Sequence, residues 1–260
     1  MNEKELHSFL EEKFKEYNCS SFIESDPISI PHRFSKKEDI ETSAFLAASI
    51  AWGQRITIIR NANELMRRMD FAPHDFILNH TKKDLTRFKN FKHRTFNGTD
   101  CIFFLQSLQN IYRKHNSLEN VFNRRTAREA IINFRKTFFS IPHSQRTEKH
   151  ISNPDAGSSA KRLNMFLRWM IRNDKRGVDF GIWNSPFEGG KGDIGLSPKD
   201  LMCPLDIHSG NTARKLGLLA RKQNDWQSVE ELTSRLREFD SKDPAKYDFA
   251  LFGLGVFEKF

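Results

Sequence analysis

The chain has 260 residues, of which 38% are hydrophobic and 29% charged, a balance that describes a globular protein and excludes a disordered one. Its formal net charge of +9 favours a polyanionic partner, namely DNA, RNA or an acidic membrane surface. The three cysteines, Cys19, Cys101 and Cys203, form no CxxC pair, which excludes a zinc ribbon and a four-cysteine iron–sulfur cluster.

Apolar residues recur at helical spacing along most of the chain, and no run of alternating residues predicts a strand. The predicted elements, in chain order, are a first helix marked by Leu6 and Tyr17, an irregular connector over 20–37, and helices over 39–51, 56–69, 73–79, 99–115, 117–139, 158–173, 209–221, 226–238 and 244–254. Asp39 and Thr99 are predicted N-caps, and Gly217 and Gly253 are expected near helix ends.

One segment, 174–205, is rich in Gly, Pro and Asp and predicts a long loop. A loop of this length inside a compact domain is usually functional or a mobile lid. We therefore predict an all-α fold, a compact multi-helix array with this loop inserted. A single helical unit over 1–260 is expected, and the alternative is two lobes, 1–38 plus 140–260 and 39–139.

Two stretches contain residue types that carry chemistry. Lys161 stands at the first turn of the helix that follows a run of small residues, within DAGSSAKRLNMFLRWMIR. Taken alone, it is interpreted as a phosphate contact or a solvated charge. Asp206 stands just before the helix over 209–221, and taken alone it is interpreted as a helix cap that faces the positive end of the helix dipole.

Together, these stretches resemble the helix-hairpin-helix DNA glycosylase superfamily. In that family a hairpin of the form GxGxK leads into the helix that carries the lysine nucleophile, and Gly157–Lys161 (GSSAK) occupies that place. The family's catalytic Asp precedes a helix, often in a VDxH context, and Leu205–His208 (LDIH) matches it. Ser158 and Ser159 replace the second glycine, so their hydroxyls and the N–H groups at the helix start are expected to approach the phosphate.

Nearly the whole chain is also similar to a bacterial family known as domain of unknown function 2400, in which KRLNMFLRWMIR and PLDIHSG are typical signatures. Two weaker matches extend the glycosylase resemblance. Residues 39–55 resemble the early helix of that superfamily, which ends in a turn containing Gln, here Gln54. Residues 247–255 (YDFALFGLG) resemble its late helix, which ends in Gly.

The glycosylase resemblance implies a base-excision-repair N-glycosylase and abasic-site lyase that flips a damaged nucleotide out of the DNA stack. Lys161 would attack the sugar carbon and form a Schiff base, a step that requires the unprotonated amine. Asp206 would stabilise cationic charge developing on the sugar or accept the proton of the lysine. Both roles require the two side chains to converge on one pocket.

Further residues are expected to bind the nucleic acid. They are Gln54, Ser158, Ser159, Arg162, Arg168, His208, Arg214 and Lys215. For His208, a helix cap or a buried hydrogen bond is the favoured interpretation. The flipped base is expected to stack on Trp52, Phe180 or Trp183, whereas Trp169 is expected in the core because its helix is apolar all round.

Two other classes of function stay open. One is a non-catalytic nucleic-acid-binding module that keeps the glycosylase fold, which the missing second glycine of the hairpin favours. The other is a protein–protein adaptor whose basic face meets an acidic partner.

The remaining expectations concern partners and location. We expect a monomer that binds DNA, with RNA as the alternative, and that uses no cofactor and no metal. No apolar run approaches the roughly 20 residues needed to span a bilayer. MNEKELHSFLEEKF predicts a charged amphipathic helix and not a signal peptide. A cytoplasmic protein without a membrane partner is therefore expected.

Overall fold

The computed structural model describes residues 1–183 and 195–260 of the chain. Its α-helices are α1 (Glu3–Tyr17), α2 (Ser20–Glu24), α3 (Lys37–Ser49), α4 (Arg55–Arg68), α5 (Pro73–Asn79), α6 (Gly98–His115), α7 (Leu118–Phe122), α8 (Ala127–Phe138), α9 (Lys161–Ile171), α10 (Ile207–Lys215), α11 (Trp226–Phe239) and α12 (Asp248–Val256). The prediction of an all-α, multi-helix array is confirmed. One antiparallel hairpin, β1 (Lys92–His93) with β2 (Phe96–Asn97), lies where the sequence predicts no strand.

The chain divides into two compact units. Unit 1 comprises Met1–Phe22, Arg124–Glu129 and Asn153–Phe260, and it contains both Lys161 and Asp206. Unit 2 comprises Ile23–Asn123 and Ala130–Ser152 and contains the hairpin. Among the helices of the two described stretches, none is both long enough and apolar enough to cross a bilayer.

Helix α9 forms the centre of unit 1. Every residue from Leu163 to Ile171 is buried, so the helix is enclosed on all sides beyond its first turn. Trp169 has no exposed surface, which confirms its prediction as a core residue. The helix is shorter than the predicted 158–173, because Arg172 has extended backbone and the chain before Lys161 is a tight turn.

Helix α12 lies between α1 and α10 in unit 1 and ends at Val256, so Gly253 is in its last turn, near a helix end as predicted. Glycine is needed at this position because there is no space for a side chain, and not because it ends the helix. A Cβ built on Gly253 would lie 2.1 Å from the ring of Tyr17 on α1. By contrast Gly217, with φ +72°, follows the end of α10 as predicted.

The core of unit 2 is built on stacked and edge-to-face phenylalanine rings. Helices α3, α6, α7 and α8 contribute the rings of Phe45, Phe104, Phe122, Phe134 and Phe138. Each of these rings is almost completely buried. Their apolar area and ring contacts join the four helices into one core.

The helix predicted over 117–139 is two helices, α7 and α8, because polar side chains interrupt it. Ser117 caps the first, and its hydroxyl accepts the N–H of Asn120. The hydroxyl of Thr126 accepts the N–H of Glu129 at 3.2 Å and starts the second helix. A Ser or Thr hydroxyl competes with helix continuation in this way.

Both predicted N-caps are corrected by the structure. Asp39 lies inside the first turn of α3, and its carboxylate accepts the N–H of His74 at 3.0 Å. Asn97 caps α6 in place of Thr99, whose N–H is one of two that the Asn97 side chain accepts. The long loop predicted over 174–205 has no α-helix in its described parts, and residues 184–194 lie outside the described residues.

Candidate functional site

The loop before α9 turns sharply at two residues. Gly157 has φ +83° and Ala160 has φ +48°, both in the left-handed region. Glycine adopts this region freely, but an alanine there is strained by roughly 1–2 kcal/mol. The carbonyl of Ala160 accepts the N–H of Asn164 at 2.9 Å, so the strained residue directly starts α9. Lys161 is the first residue of this helix.

Hydrogen bonds join this loop to the segment that contains Asp206. The Ser159 hydroxyl donates to the carbonyl oxygen of Leu205 at 3.3 Å. The Asn164 amide donates to the carbonyl oxygen of Ser159 at 3.0 Å, and the Asn224 amide donates to that of Asp206 at 2.9 Å. The starts of α9 and α10 are therefore held side by side.

The structure brings Lys161 and Asp206 together. The ammonium Nζ lies 3.5 Å from Oδ2 of the carboxylate, and each side chain keeps 25% of its surface exposed. Burial alone raises the pKa of Asp206, but the Lys161 ammonium and the N–H groups of Ser209 and His208 outweigh it and hold that pKa below its ordinary value. The result is an ion pair that remains open to solvent.

Below this pair, two arginines of α9 are neutralised by buried carboxylates. Arg168 donates to Asp179 at 3.3 Å and also to Asp248, and only 3% of its surface is exposed. Arg172 donates to the carboxylates of Asp174, Asp179 and Asp243. Arg168 was predicted to contact a nucleic acid, but its guanidinium is instead bound to these interior carboxylates, because an arginine on a buried helix needs buried anions.

Asp248, the first residue of α12, adds a second carboxyl group near the pair. Burial raises the pKa of Asp248 to about 6, although the Arg168 and Lys161 cations act in the opposite direction. The charge of Asp206 also acts on Asp248. One ammonium and two carboxyl groups are therefore within electrostatic reach of one another.

The other predicted nucleic-acid contacts of unit 1 fall into two groups. Ser158, His208 and Lys215 are at least partly exposed at the starts of α9 and α10 or at the end of α10. The guanidinium groups of Arg162 and Arg214 are less accessible to a nucleic acid. Burial lowers the pKa of Arg162 to about 10. The Arg214 guanidinium donates to the carbonyl oxygen of residue 221 at 2.8 Å and to two groups at 223–224, so it braces the loop after α10.

His208 does not have its favoured role as a helix cap or a buried hydrogen bond, because Asp206 is the N-cap of α10 and His208 contributes only its backbone. Its backbone N–H, together with that of Ser209, donates to Oδ1 of Asp206 at 2.9 and 3.0 Å. The imidazole is exposed.

The residues predicted to stack on a base lie in different surroundings. The Trp183 ring is 5% exposed and stands edge-on to Phe166 at 5.3 Å, so it packs in the core of unit 1. Phe180 is half-buried beside α9, and its N–H donates to the Trp169 carbonyl oxygen at 2.9 Å. Trp52 is half-buried in unit 2. Gln54, also in unit 2, is exposed at the N-cap of α4.

Sequence reasoning missed Asn164, Asn224, Asp179 and Asp248 as parts of this site. One signal was available, because an Arg within an otherwise apolar helix predicts buried carboxylates elsewhere in the chain. In the two stretches that the structure describes, no group of three or more His, Cys, Asp or Glu residues is arranged to hold a metal ion.

Comparison with curated proteins and with solved structures gives no match. One family does match, and its description reads protein of unknown function (DUF2400). It matches residues 26–257, which include α3 to α12 and both members of the ion pair. Since this match spans most of the sequence, the chain belongs to the DUF2400 family.

Proposed function

We propose that the protein is a DNA N-glycosylase and abasic-site lyase in which Lys161 is the nucleophile. The observation that carries this proposal is the 3.5 Å separation between Lys161 Nζ and Asp206 Oδ2, two groups supplied by different helices. Both are partly exposed, so an incoming sugar has access to them. An amine with an adjacent carboxylate is a nucleophile beside its proton acceptor.

In the proposed reaction, the amine nitrogen of Lys161 bonds to the sugar carbon while the bond from that carbon to the base breaks. Before this attack, the Lys161 ammonium gives one proton to Asp206 and becomes the neutral amine. Asp206 passes that proton to the leaving base, and the restored carboxylate stabilises the positive charge that develops on the sugar. A proton then moves from the bonded nitrogen to the ring oxygen of the sugar, the bond between that oxygen and the carbon breaks, and the resulting protonated Schiff base makes strand cleavage possible. The carboxylate suits the charge-stabilising task because burial, which raises the pKa of Asp206, is outweighed chiefly by Lys161, so the group is ionised at neutral pH.

The strain at Ala160 and the hydrogen bonds of Ser159 and Asn164 support the same proposal. They hold the backbone next to Lys161, so the side chain starts from a fixed position beside Asp206 before substrate arrives. Backbone strain of this kind is concentrated at functional sites in proteins.

Borohydride trapping on a DNA duplex with one abasic site tests the proposal without knowledge of the damaged base. We expect the wild-type protein to form a covalent adduct whose cross-linked peptide contains Lys161. Lys161→Ala should reduce the trapping rate at least about 100-fold, the lower end for loss of a positioned catalytic group. The control is Lys222→Ala, which removes an exposed lysine of the same unit. Equal trapping by wild type and Lys161→Ala would remove the lyase proposal.

A non-catalytic nucleic-acid-binding module is the second candidate, and one observation favours it. Oδ1 of Asp206 accepts two backbone N–H groups at the start of α10, a capping role that needs no chemistry. This candidate predicts salt-dependent DNA binding with no adduct, unchanged in Asp206→Asn. The trapping experiment therefore separates the two candidates.

A further inference from the structure

The hairpin segment Lys89–Asn97 of unit 2 contains an arginine in an unfavourable backbone conformation. Arg94 and Thr95 form the two-residue turn between β1 and β2, and Arg94 has φ +53°. Hairpin turns of this kind prefer Asn or Gly, because a side chain is strained in the left-handed region. The turn therefore carries an arginine where another residue would stabilise the fold more.

The side chain of Arg94 lies against a second turn of unit 2. A Cβ built on Gly53 would be 3.1 Å from both Cδ and Nη1 of Arg94. Gly53 itself has φ +101°, so the backbone conformation favours glycine there. The next residue, Gln54, is exposed at the start of α4. Arg94 and Gln54 are thus placed at neighbouring turns.

The hairpin segment is anchored from both sides. His93 Nε2 lies 3.1 Å from the carbonyl oxygen of Trp52, and because a carbonyl only accepts, Nε2 carries the proton. Nδ1 then accepts from the Asn61 amide at 2.9 Å. On the other side, Arg146 donates to the Thr95 carbonyl oxygen at 3.0 Å. These contacts fix the turn before any ligand binds.

The outer side chains of the segment are cations. Lys89, Lys92 and Arg94 are exposed, and none of them forms an ion pair with any residue that the structure describes. Arg146, next to the turn, is different, because it is paired with the buried Asp100 at 2.6 Å. The surface of the hairpin segment is therefore positive, uncompensated and rigid.

We propose that the hairpin segment is a nucleic-acid contact surface of unit 2, with Lys92 and Arg94 binding phosphates of the DNA backbone. The planar guanidinium of Arg94 fits two phosphate oxygens, and its anchored turn limits the entropy lost on binding. This inference rests on the proposed function for the choice of DNA as the partner. It assigns unit 2 a positioning task that the chemistry at Lys161 does not require.

Fluorescence anisotropy with a labelled abasic-site duplex, from about 50 to 200 mM salt, tests this surface. In Lys92→Gln/Arg94→Gln, the affinity at low salt should fall about tenfold or more. The slope of log K against log salt should become less steep by about 1.8, which is about 0.9 for each lost phosphate contact. Both side chains are exposed, and neither takes part in the backbone hydrogen bonds that hold the hairpin, so the melting temperature should stay unchanged.

The matched control is Lys82→Gln/Lys83→Gln, which removes two exposed lysines of the same unit. If this control and the hairpin variant show the same affinity and slope, the inference is overturned. Competition by polyglutamate as strong as that by DNA would also overturn it, since the surface would then fit an acidic protein. Borohydride trapping by the hairpin variant and by its control at saturating DNA keeps the outcomes separate. A normal adduct together with unchanged binding rejects the hairpin surface alone, whereas a wild type that neither binds nor traps rejects both proposals.

Discussion

The two oxygens of Asp206 perform different tasks. Oδ1 accepts the first free N–H groups of α10, from His208 and Ser209, while Oδ2 faces Lys161 at 3.5 Å. Asparagine keeps one side-chain oxygen and is itself a good N-cap. Alanine has no side-chain oxygen, so it can neither cap the helix nor pair with Lys161. Asp206→Asn therefore removes the charge and spares the cap, which makes it the informative substitution at this position.

The pH dependence of that substitution follows from the sign of the shift. The pKa of Asp206 is lowered in the folded protein, so its contribution is present above the unfolded value of 3.8 and is lost as pH falls through the folded pKa. We expect Asp206→Asn to lose about 1 kcal/mol of unfolding free energy at neutral pH and less than this at an acidic pH well below 3.8. Urea unfolding at the two pH values measures this difference.

Asp206→Ala is the companion variant, and it should lose about 1 kcal/mol more than Asp206→Asn at both pH values because it removes the cap. If the unfolding free energies of wild type and Asp206→Asn differ by the same amount at both pH values, the ion pair is not the source of that difference.

The buried carboxylate of Asp179 predicts a much larger effect. It accepts from Arg168 and Arg172, and its side chain is fully buried. Asp179→Ala leaves two buried guanidinium groups short of an anion, so we expect a loss of about 3–5 kcal/mol in unfolding free energy. Asp155→Ala is the control, because Asp155 pairs with Arg128 at the surface, where the expected loss is about 0–1 kcal/mol. Chemical denaturation measures both, and similar losses would contradict the interior network.

At the scale of elements, Gly253 sets two physical effects against each other. Glycine inside a helix is less favourable than alanine by about 1 kcal/mol, so propensity alone predicts that Gly253→Ala stabilises α12. A Cβ there would lie 2.1 Å from the Tyr17 ring, and overpacking of this kind costs about 1–3 kcal/mol. We expect the clash to prevail and the melting temperature to fall.

Gly255→Ala is a related variant on the same helix, where the nearest atom to a new Cβ is the Thr212 hydroxyl at 2.9 Å. Because this clash is smaller, we expect a smaller fall in melting temperature than for Gly253→Ala. A higher melting temperature for Gly253→Ala would show that Tyr17 moves aside without cost and that α1 and α12 are not closely packed.

The helices could be predicted from sequence because the apolar face of each one repeats with helical spacing. The failures occur where polar side chains decide the backbone. Thr126 restarts a helix that the apolar pattern carries through, and Asn97 caps α6 in place of Thr99. The hairpin at Arg94 has no Asn or Gly in its turn, and each strand has only two residues, too few for an alternating pattern.

The candidate site was only partly predictable for a similar reason. Local context marked Lys161 and Asp206, and the structure brings them within 3.5 Å of each other. The apolar helix around Arg168 indicates that this arginine needs buried carboxylates, but the sequence does not show which acidic residues supply them. Only tertiary contacts show that its partners are Asp179 and Asp248.

At the scale of the whole molecule, the formal charge of +9 overstates the positive charge that is accessible to a polyanion at the surface. Arg168 and Arg172 are neutralised inside unit 1, and Arg214 is held by carbonyl oxygens. The cations that remain available include Lys215 at the end of α10 and Arg94 on the hairpin segment, one in each unit. The salt dependence of DNA binding should therefore reflect a few exposed cations and not the total charge.

Additivity between the units tests this distribution of charge. Lys215 and Arg94 share no partner among the described residues, so each substitution to Gln should remove one phosphate contact independently. We expect the slope of log K against log salt to become less steep by about 0.9 in either single variant and by about 1.8 in the double variant. Anisotropy titrations of one duplex at several salt concentrations measure all three slopes. A double variant with the slope of a single one would mean that one of these cations does not contact the DNA.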